Sequence, residues 1–202
     1  MVEVRQASPA DTDTATAILD IAERLVQRRG FSGFSYADIA AELGITKASL
    51  HYHFPSKAEL GKSLITRYAA RFADALGEIG ARVVPAGDKL EAYCAIYRAV
   101  LAEQRMCLCG MLAAEYEALP EPMRRAVVQF FDHNHVWLSA LLEEGRRAGS
   151  LRFAGTSDQA AHSITAALEG AMLVSRPYGN TAVLDSVADR LVAEFSVKAP
   201  SG

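Results

Sequence analysis

The stretch from Ser35 to Leu60, SYADIAAELGITKASLHYHFPSKAEL, limits what this chain can fold into more than any other. Ser35 with Asp38 three residues on reads as a capping box that opens a short helix. Ile39, Ala40 and Leu43 then form its inward stripe, and Ala40 is small enough to let a second helix cross closely. Gly44 supplies the positive-φ position where that helix stops, and Thr46 can cap the next one. Counted from Tyr36, Ala40 is fifth, Gly44 ninth and Leu50 fifteenth, the spacing two helices need to cross steeply around a tight turn. Pro55 and Ser56 end the second helix, and Ser56 with Glu59 makes another capping box that starts a longer one.

The second helix has the polar face a DNA reader needs. Lys47, Ser49, His51, Tyr52 and His53 offer phosphate and base-edge donors, while Leu50 and Phe54 hold the helix to its neighbours. In a helix-turn-helix the N-terminal half of the second helix enters the major groove and the first lies across the backbone. His51 and His53, two residues apart, do not share a helix face. They therefore make a poor metal pair, and one can point at DNA while the other turns toward the backbone or core. The Tyr52 hydroxyl extends past the helix edge toward a phosphate. Lys57 sits on the first turn of the following helix, where its ammonium joins free backbone amides in attracting a phosphate.

The run DIAAELGITKASLHYHFPSKAEL, with its aromatic-His-Phe-Pro-x-Lys end, resembles the DNA-binding segment of the TetR family of bacterial transcriptional regulators. The resemblance covers about the first third of the chain. It implies phosphate contacts from Ser35, Thr46, Tyr52 and Lys57, with Lys47, Ala48, Ser49 and His53 nearest the bases. The Ala48 methyl could touch a thymine methyl. Tyr36 and His51 complete the candidate DNA-binding set.

The chain has 202 residues, half of them hydrophobic, with no stretch of 18 apolar residues and no basic-then-apolar leader, so a cytoplasmic protein is expected. A net charge of −3 argues against a general nucleic-acid coat. Between Gly44 and Phe72, however, the five cations Lys47, Lys57, Lys62, Arg67 and Arg71 face only Glu59. That footprint suits site-specific binding that weakens steeply with salt. Cys94, Cys107 and Cys109 are an odd number without framework spacing, so no structural disulfide is expected.

The remaining pattern is helical throughout, predicting an all-α fold of about nine helices. A three-helix DNA-binding domain, residues 1–56, precedes a helical-bundle effector and dimerisation domain, residues 57–202. Residues 1 to about 12 show no periodicity and are expected to fray. From Asp13 to Arg29, Ile18, Ile21, Ala22, Leu25 and Val26 mark one buried stripe, and Gly30 ends the helix. Further helices are predicted from Lys57 to about Val84, Asp88 to about Gln104, Gly110 to Leu119, Pro122 to Ala148, Thr156 to Ser175 and Ala182 to Val197. The last two are the candidate dimer interface, through Ile164, Ala167, Leu168, Ala171, Val174, Leu184, Val187, Leu191 and Phe195. Two such helices from each subunit would form a four-helix bundle, and the alternative is that these faces bury only against their own domain.

An effector pocket is expected between the fourth and eighth helices, with Tyr93, Tyr97, Cys107, Met111, Glu115, Tyr116, Phe130, His133, Trp137 and Met172 as candidates and Glu115 and His133 as its polar anchors. A lone CxC without two further clustered ligands falls short of a metal site, so neither metal nor cofactor is expected. Cys107 reads either as buried structural cysteine or as a reactive thiol, since Arg105 and a nearby helix start would both lower its pKa. The segment RMCLCGMLAAE also resembles the Cys-Leu element of TetR-family regulators that respond to electrophiles or oxidants, with Met106 where glycine is usual.

Together these readings imply a homodimeric, ligand-responsive transcription factor on a palindromic operator. It would be a repressor released by a small-molecule effector or a thiol-reactive compound. A thiol-dependent enzyme in the helical domain is the alternative; no nucleophile, base and orienter set can be assembled from local spacing.

Overall fold

A computed structural model describes residues 9–197, and side chains from Asp13 onward. Nine α-helices account for its regular structure among the described residues: α1 Pro9–Arg29, α2 Tyr36–Leu43, α3 Lys47–His53, α4 Lys57–Gly80, α5 Ala86–Ala102, α6 Leu108–Ala114, α7 Glu121–Arg147, α8 Ser157–Ser175 and α9 Ala182–Phe195. Single 3-10 turns follow α6 at Tyr116–Ala118 and α8 at Arg176–Tyr178, and an isolated bridge pairs Leu151 with Ser196. Helix α1 starts at Pro9, so the expectation of frayed chain up to residue 12 is corrected: proline is tolerated in a first helical turn because its missing N–H has no partner there. The first eight residues lie outside the described residues. Helix α4 stops at Gly80, earlier than the Val84 expected, and Val83 and Val84 lie exposed before Pro85.

The local signals act where the sequence puts them. Gly44 takes φ 71° at the end of α2, and Gly30 takes φ 82° at the end of α1, conformations in which a Cβ would be strained. Thr46 Oγ1 accepts from Ser49 N at 3.1 Å and Ser56 Oγ from Glu59 N at 3.2 Å, capping α3 and α4. Thr156 and Gln159 form a capping box that opens α8, and Gly149 at φ 72° follows α7.

The apolar stripe of α1 buries against Phe31, Phe34, Ile39, Leu50 and Phe54, and that core continues without a break into the distal helices. Helix α4 makes the continuity. Its first half packs Leu60 and Leu64 into the three-helix unit, and its second half presents Tyr68, Phe72 and Leu76 to α7 and α5. Twenty-four residues at 1.5 Å each span about 36 Å, enough to reach through both regions. Across the joint, Arg67 and Arg71 of α4 converge on the buried carboxylate of Glu23 in α1, and Arg67 also pairs with Asp20 at 2.8 Å.

At Gly61 α4 packs tightly against Met123 of α7 and against Phe31. A Cβ there would lie 2.5 Å from the Met123 thioether and 2.9 Å from the Phe31 ring. Replacing Gly61 with valine should therefore destabilise the protein by roughly 1–3 kcal/mol, read as a lowered melting temperature. An unchanged melt would mean that α1, α4 and α7 are not packed as described.

Candidate nucleic-acid interface and distal site

Helix α3 stands on Leu50, which is fully buried, and turns its N-terminal and outer faces to solvent. Lys47, Ala48, His51 and Tyr52 are exposed, Tyr52 at 71 %, while Ser49 and His53 are half-buried. The Tyr52 ring meets the His53 ring edge-on at 5.2 Å, which holds both at the end of α3. Ser35 and Thr46 are exposed at the N-termini of α2 and α3, where unpaired amides favour an anion.

Three members of the candidate set are committed to the fold. The Tyr36 hydroxyl donates to Phe54 O at 2.8 Å, cross-bracing α2 to the end of α3. Burial, assisted by Glu59, pushes its phenol up to about 12. His51 lies against the Tyr36 ring at 4.8 Å, with Nδ1 3.3 Å from Pro55 O, so of the two histidines this is the one turned to the backbone. The ammonium of Lys57 donates to Phe31 O at 2.6 Å and Phe34 O at 2.5 Å, beneath both phenyl faces. Desolvation pulls its pKa below the ordinary lysine range. The loop after α1 ends on two carbonyls without helical partners, and the lysine supplies two of its three donors to them.

The same accounting shrinks the basic footprint. Of the five cations between Gly44 and Phe72, Arg67 and Arg71 are held by Glu23, and Lys57 is turned inward. Lys47 and Lys62 remain exposed, with no ion pair or hydrogen bond among the described residues.

Distal elements grip the C-terminal end of α1. Met106 N donates to Gln27 O at 3.2 Å, Arg176 Nη2 donates to Arg28 O, and Ser32 N donates to Glu115 Oε2 at 2.9 Å. Glu115 sits so close over Gly30 that a Cβ there would fall 1.9 Å from Oε1. Glu115 is thus a clamp on the loop between α1 and α2, not an anchor in the bundle.

Inside the bundle, four helices and the N-cap of α6 bring a polar cluster together. The Tyr93 hydroxyl donates to Asn134 Oδ1 at 3.0 Å and lies 3.1 Å from Tyr97 Oη, with Thr165 Oγ1 at 3.5 Å. Tyr68 donates to Cys107 Sγ at 3.6 Å, and that sulfur also accepts from Gly110 N at 3.4 Å, capping α6. Glu169 of α8 enters the same region and hydrogen-bonds the Cys107 thiol. Of the residues expected in a pocket, Tyr93, Tyr97, Cys107, Phe130 and Met172 are buried here, with Met111 and Trp137 half-buried at its edges. Tyr116 and His133 are not: Tyr116 is exposed beneath Arg124, and His133 points outward from α7. Asn134, Thr165 and Glu169 were missed by sequence reasoning. Phe130, Asn134, Leu138 and Leu141 share one α7 stripe, and Thr165, Glu169 and Met172 fall at i, i+4 and i+7 on α8, so a polar residue within an apolar stripe was the available signal.

Burial governs this chemistry. It pushes the Cys107 and Cys109 thiols well above their ordinary range, with Glu169 adding to both shifts. The expected lowering by Arg105 is corrected, because that guanidinium is spent on Glu103 and Gln27. Glu169 itself is raised from 4.5 to about 7 by burial, partly offset by the Cys107 hydrogen bond.

On α8 and α9 the candidate dimer residues divide. Ile164, Leu168, Ala171, Leu184 are buried within the chain's own core, which corrects their assignment to an interface. Ala167, Val187, Leu191 and Phe195 are half-buried, and Val174 is 52 % exposed beside Leu173 at 60 %. A Cβ on Gly170 would meet open space, so nothing within the chain accounts for a glycine at this mid-helix position.

An exposed helix α3 on a helical core that reaches a buried polar cluster is the arrangement of a helix-turn-helix unit joined to a helical bundle. The comparisons name its family. The profile described as bacterial regulatory proteins, tetR family, matches residues 18–64, and that described as tetracyclin repressor-like, C-terminal domain, matches residues 86–191. A solved TetR-family transcriptional regulator from Agrobacterium tumefaciens has a TM-score of 0.89 at 32 % identity, covering 93 % of this chain and 100 % of its own. The HTH-type transcriptional repressor NemR of Escherichia coli strain K12 is 28 % identical over 170 residues, 81 % of this chain and 84 % of NemR. The crystal structure of reduced E. coli NemR has a TM-score of 0.78 at 27 % identity, covering 92 % of this chain and 98 % of that one. The chain belongs to the TetR family and is a DNA-binding transcriptional regulator. Among the described residues no helix is long and apolar enough to cross a membrane.

A carboxyl raised on folding holds its proton better in the folded state, so stability is fullest below its unfolded value and falls as pH rises toward 7. Above that pH the burial of Glu169 should cost up to about 3 kcal/mol. Glu169→Gln removes the titration. Its melting temperature should exceed the wild type's by a margin that widens from pH 5 to pH 8, and a margin independent of pH would refute the buried, proton-holding carboxyl.

Proposed function

We propose that the chain acts as a homodimeric, effector-released repressor on a twofold operator. The observation that carries this is mechanical: α3, with Lys47, Ala48 and Tyr52 outward, shares one core with the distal polar cluster through α4. In this reading Lys47, Ala48, Ser49 and His53 approach the bases, and Ser35, Thr46 and Tyr52 approach phosphates. Tyr36, His51 and Lys57 set the angle of α3 against α2 and α4 by the contacts described above.

Two reading helices must sit about 34–36 Å apart to meet successive major grooves. The exposed face of α8, with Gly170, Leu173 and Val174, supports a second copy of the chain as the device that fixes this distance. A glycine within a helix costs about 1 kcal/mol relative to alanine, and close approach of a partner helix gives it a use. An effector in the distal cluster would change the tilt of α4 and the grip on α1, costing operator affinity by a coupling of about 1–3 kcal/mol. Release by a thiol-reactive compound is less well supported. Cys107 is buried and its thiol is held in the protonated form, which also weakens the alternative of a thiol-dependent enzyme.

Footprinting and fluorescence anisotropy on DNA upstream of the protein's own gene test the reading. Lys47→Ala should weaken binding by about 1–3 kcal/mol and lower the salt slope by about one. Leu173→Glu should shift the protein to monomers in sedimentation and abolish tight operator binding. Operator affinity unmoved by Lys47→Ala would remove α3 as the reader, and a dimer that survives Leu173→Glu would remove this face of α8.

A further inference from the structure

The DNA-binding reading leaves Glu169, a half-buried residue with one fully enclosed carboxyl oxygen, without a purpose. Its Oε1 is fully enclosed and has no hydrogen-bond partner among the described residues, and the Cys107 thiol lies against the carboxyl. The titratable groups facing this region are Tyr68 from α4, Tyr93 and Tyr97 from α5, and Cys107 and Cys109 at the start of α6, with neutral Asn134 from α7. None of them is a cation. Beside the carboxyl runs a continuous column of rings: Tyr68 lies 5.6 Å from Phe130, Phe130 5.0 Å from Phe72, and Phe72 6.3 Å from Tyr97. A carboxylate with unused lone pairs, flanked by aromatic faces and without a basic partner, has the composition of a receptor for an organic cation.

The roof over this site is the first turn of α6. A Cβ on Gly110 would fall 2.2 Å from Glu169 Oε2, so glycine lets the turn lie directly on the carboxyl. Helix α6 has seven residues and follows a loop in which Gln104 holds φ 55°, a conformation rare for a residue with a Cβ. The flexible Met111 side chain sits at its edge.

We propose that Glu169 and the adjoining rings bind a monovalent organic cation carrying an apolar group, and that its entry lifts α6 from α1. This rests on the reading that a distal effector controls operator binding, and it names the effector's chemistry. The elements flanking α6 hold α1 through Met106 N on Gln27 O and Glu115 on Ser32 N, so displacing α6 loosens the DNA-binding unit directly. The cation replaces the carboxyl proton, which leaves to solvent. Binding therefore strengthens as pH rises through about 7, and near pH 7 it releases protons.

Isothermal titration of the full chain with benzyltrimethylammonium, benzyl alcohol and phenylacetate at pH 6 and pH 8, in buffers of differing ionisation heat, tests the site. The cation should bind at least tenfold more tightly than the alcohol or the acid, more tightly at pH 8, with proton release to the buffer. Glu169→Gln, its folding verified by thermal melt, should lose that preference at least tenfold. Equal binding of cation and alcohol, absence of proton release by the wild type, or unaltered cation binding by Glu169→Gln would each overturn the proposal. Operator anisotropy separates the two readings. Cation binding by a protein that retains no operator keeps the site and removes the regulatory reading; firm operator binding by a protein that ignores the cation removes the site. A bound cation that leaves operator affinity unchanged overturns the lifting of α6.

Discussion

The end of α1 is held by the far helices, and the seating of the three-helix unit depends on that. The last four carbonyls of a helix lack intrahelical donors, and here Gln27 O and Arg28 O are met by Met106 N and Arg176 rather than by local chain. Glu115 seals the loop that follows by accepting from Ser32 N. A three-helix unit of under 60 residues is marginal alone. It therefore borrows both apolar contacts, through α4, and polar satisfaction, through Met106 before α6, Glu115 after it and Arg176 after α8. Any rearrangement around α6 must expose those carbonyls or recruit water to them, so the two regions are coupled by hydrogen-bond necessity as well as by packing.

The charges follow the same logic. Glu23 is buried in α1 and would be costly without partners; Arg67 and Arg71 come from α4 to meet it, fastening the joint. Lys57 is similarly consumed by the Phe31 and Phe34 carbonyls. Cations that seem, in sequence, to belong to a DNA footprint are thus spent on orienting the reader. What remains at the surface is smaller: Lys47 and Lys62 beside the exposed face of α3.

Local signals were legible in the sequence wherever one residue decides one geometry. Gly30, Gly44, Thr46 and Ser56 set their boundaries as read, because caps and positive-φ turns depend on neighbours a few residues away. Helix order and the α1 stripe followed from periodicity. Direction was harder to read. Lys57, Tyr36 and Glu115 carry donors and acceptors whose partners lie 18 to 83 residues distant, and residue type alone cannot say whether such a group faces solvent or a stray carbonyl. The distal cluster was half legible for the same reason. Its aromatic members advertise burial by size, whereas Asn134 and Glu169 look like surface residues until the stripes they interrupt are noticed.

Glu169 shows why such an interruption survives. A leucine in its place would avoid the desolvation of a carboxyl and would pack against the same rings, so on stability alone the acid is a poor choice. Folded proteins carry few buried polar atoms without partners, and each one calls for a use. A structural role fails to account for it, because the Cys107 thiol already caps α6 through Gly110 N without needing a carboxylate beside it. What a leucine could not provide is a difference between two states. The carboxyl is penalised while α6 covers it and is relieved once a positive charge arrives. A ligand shifts an equilibrium only by its differential affinity for the two arrangements, and strain relieved by the ligand is one source of that difference. The instability stored at Glu169 is therefore of the kind a switch requires, and it sits under a short helix that also packs on α1.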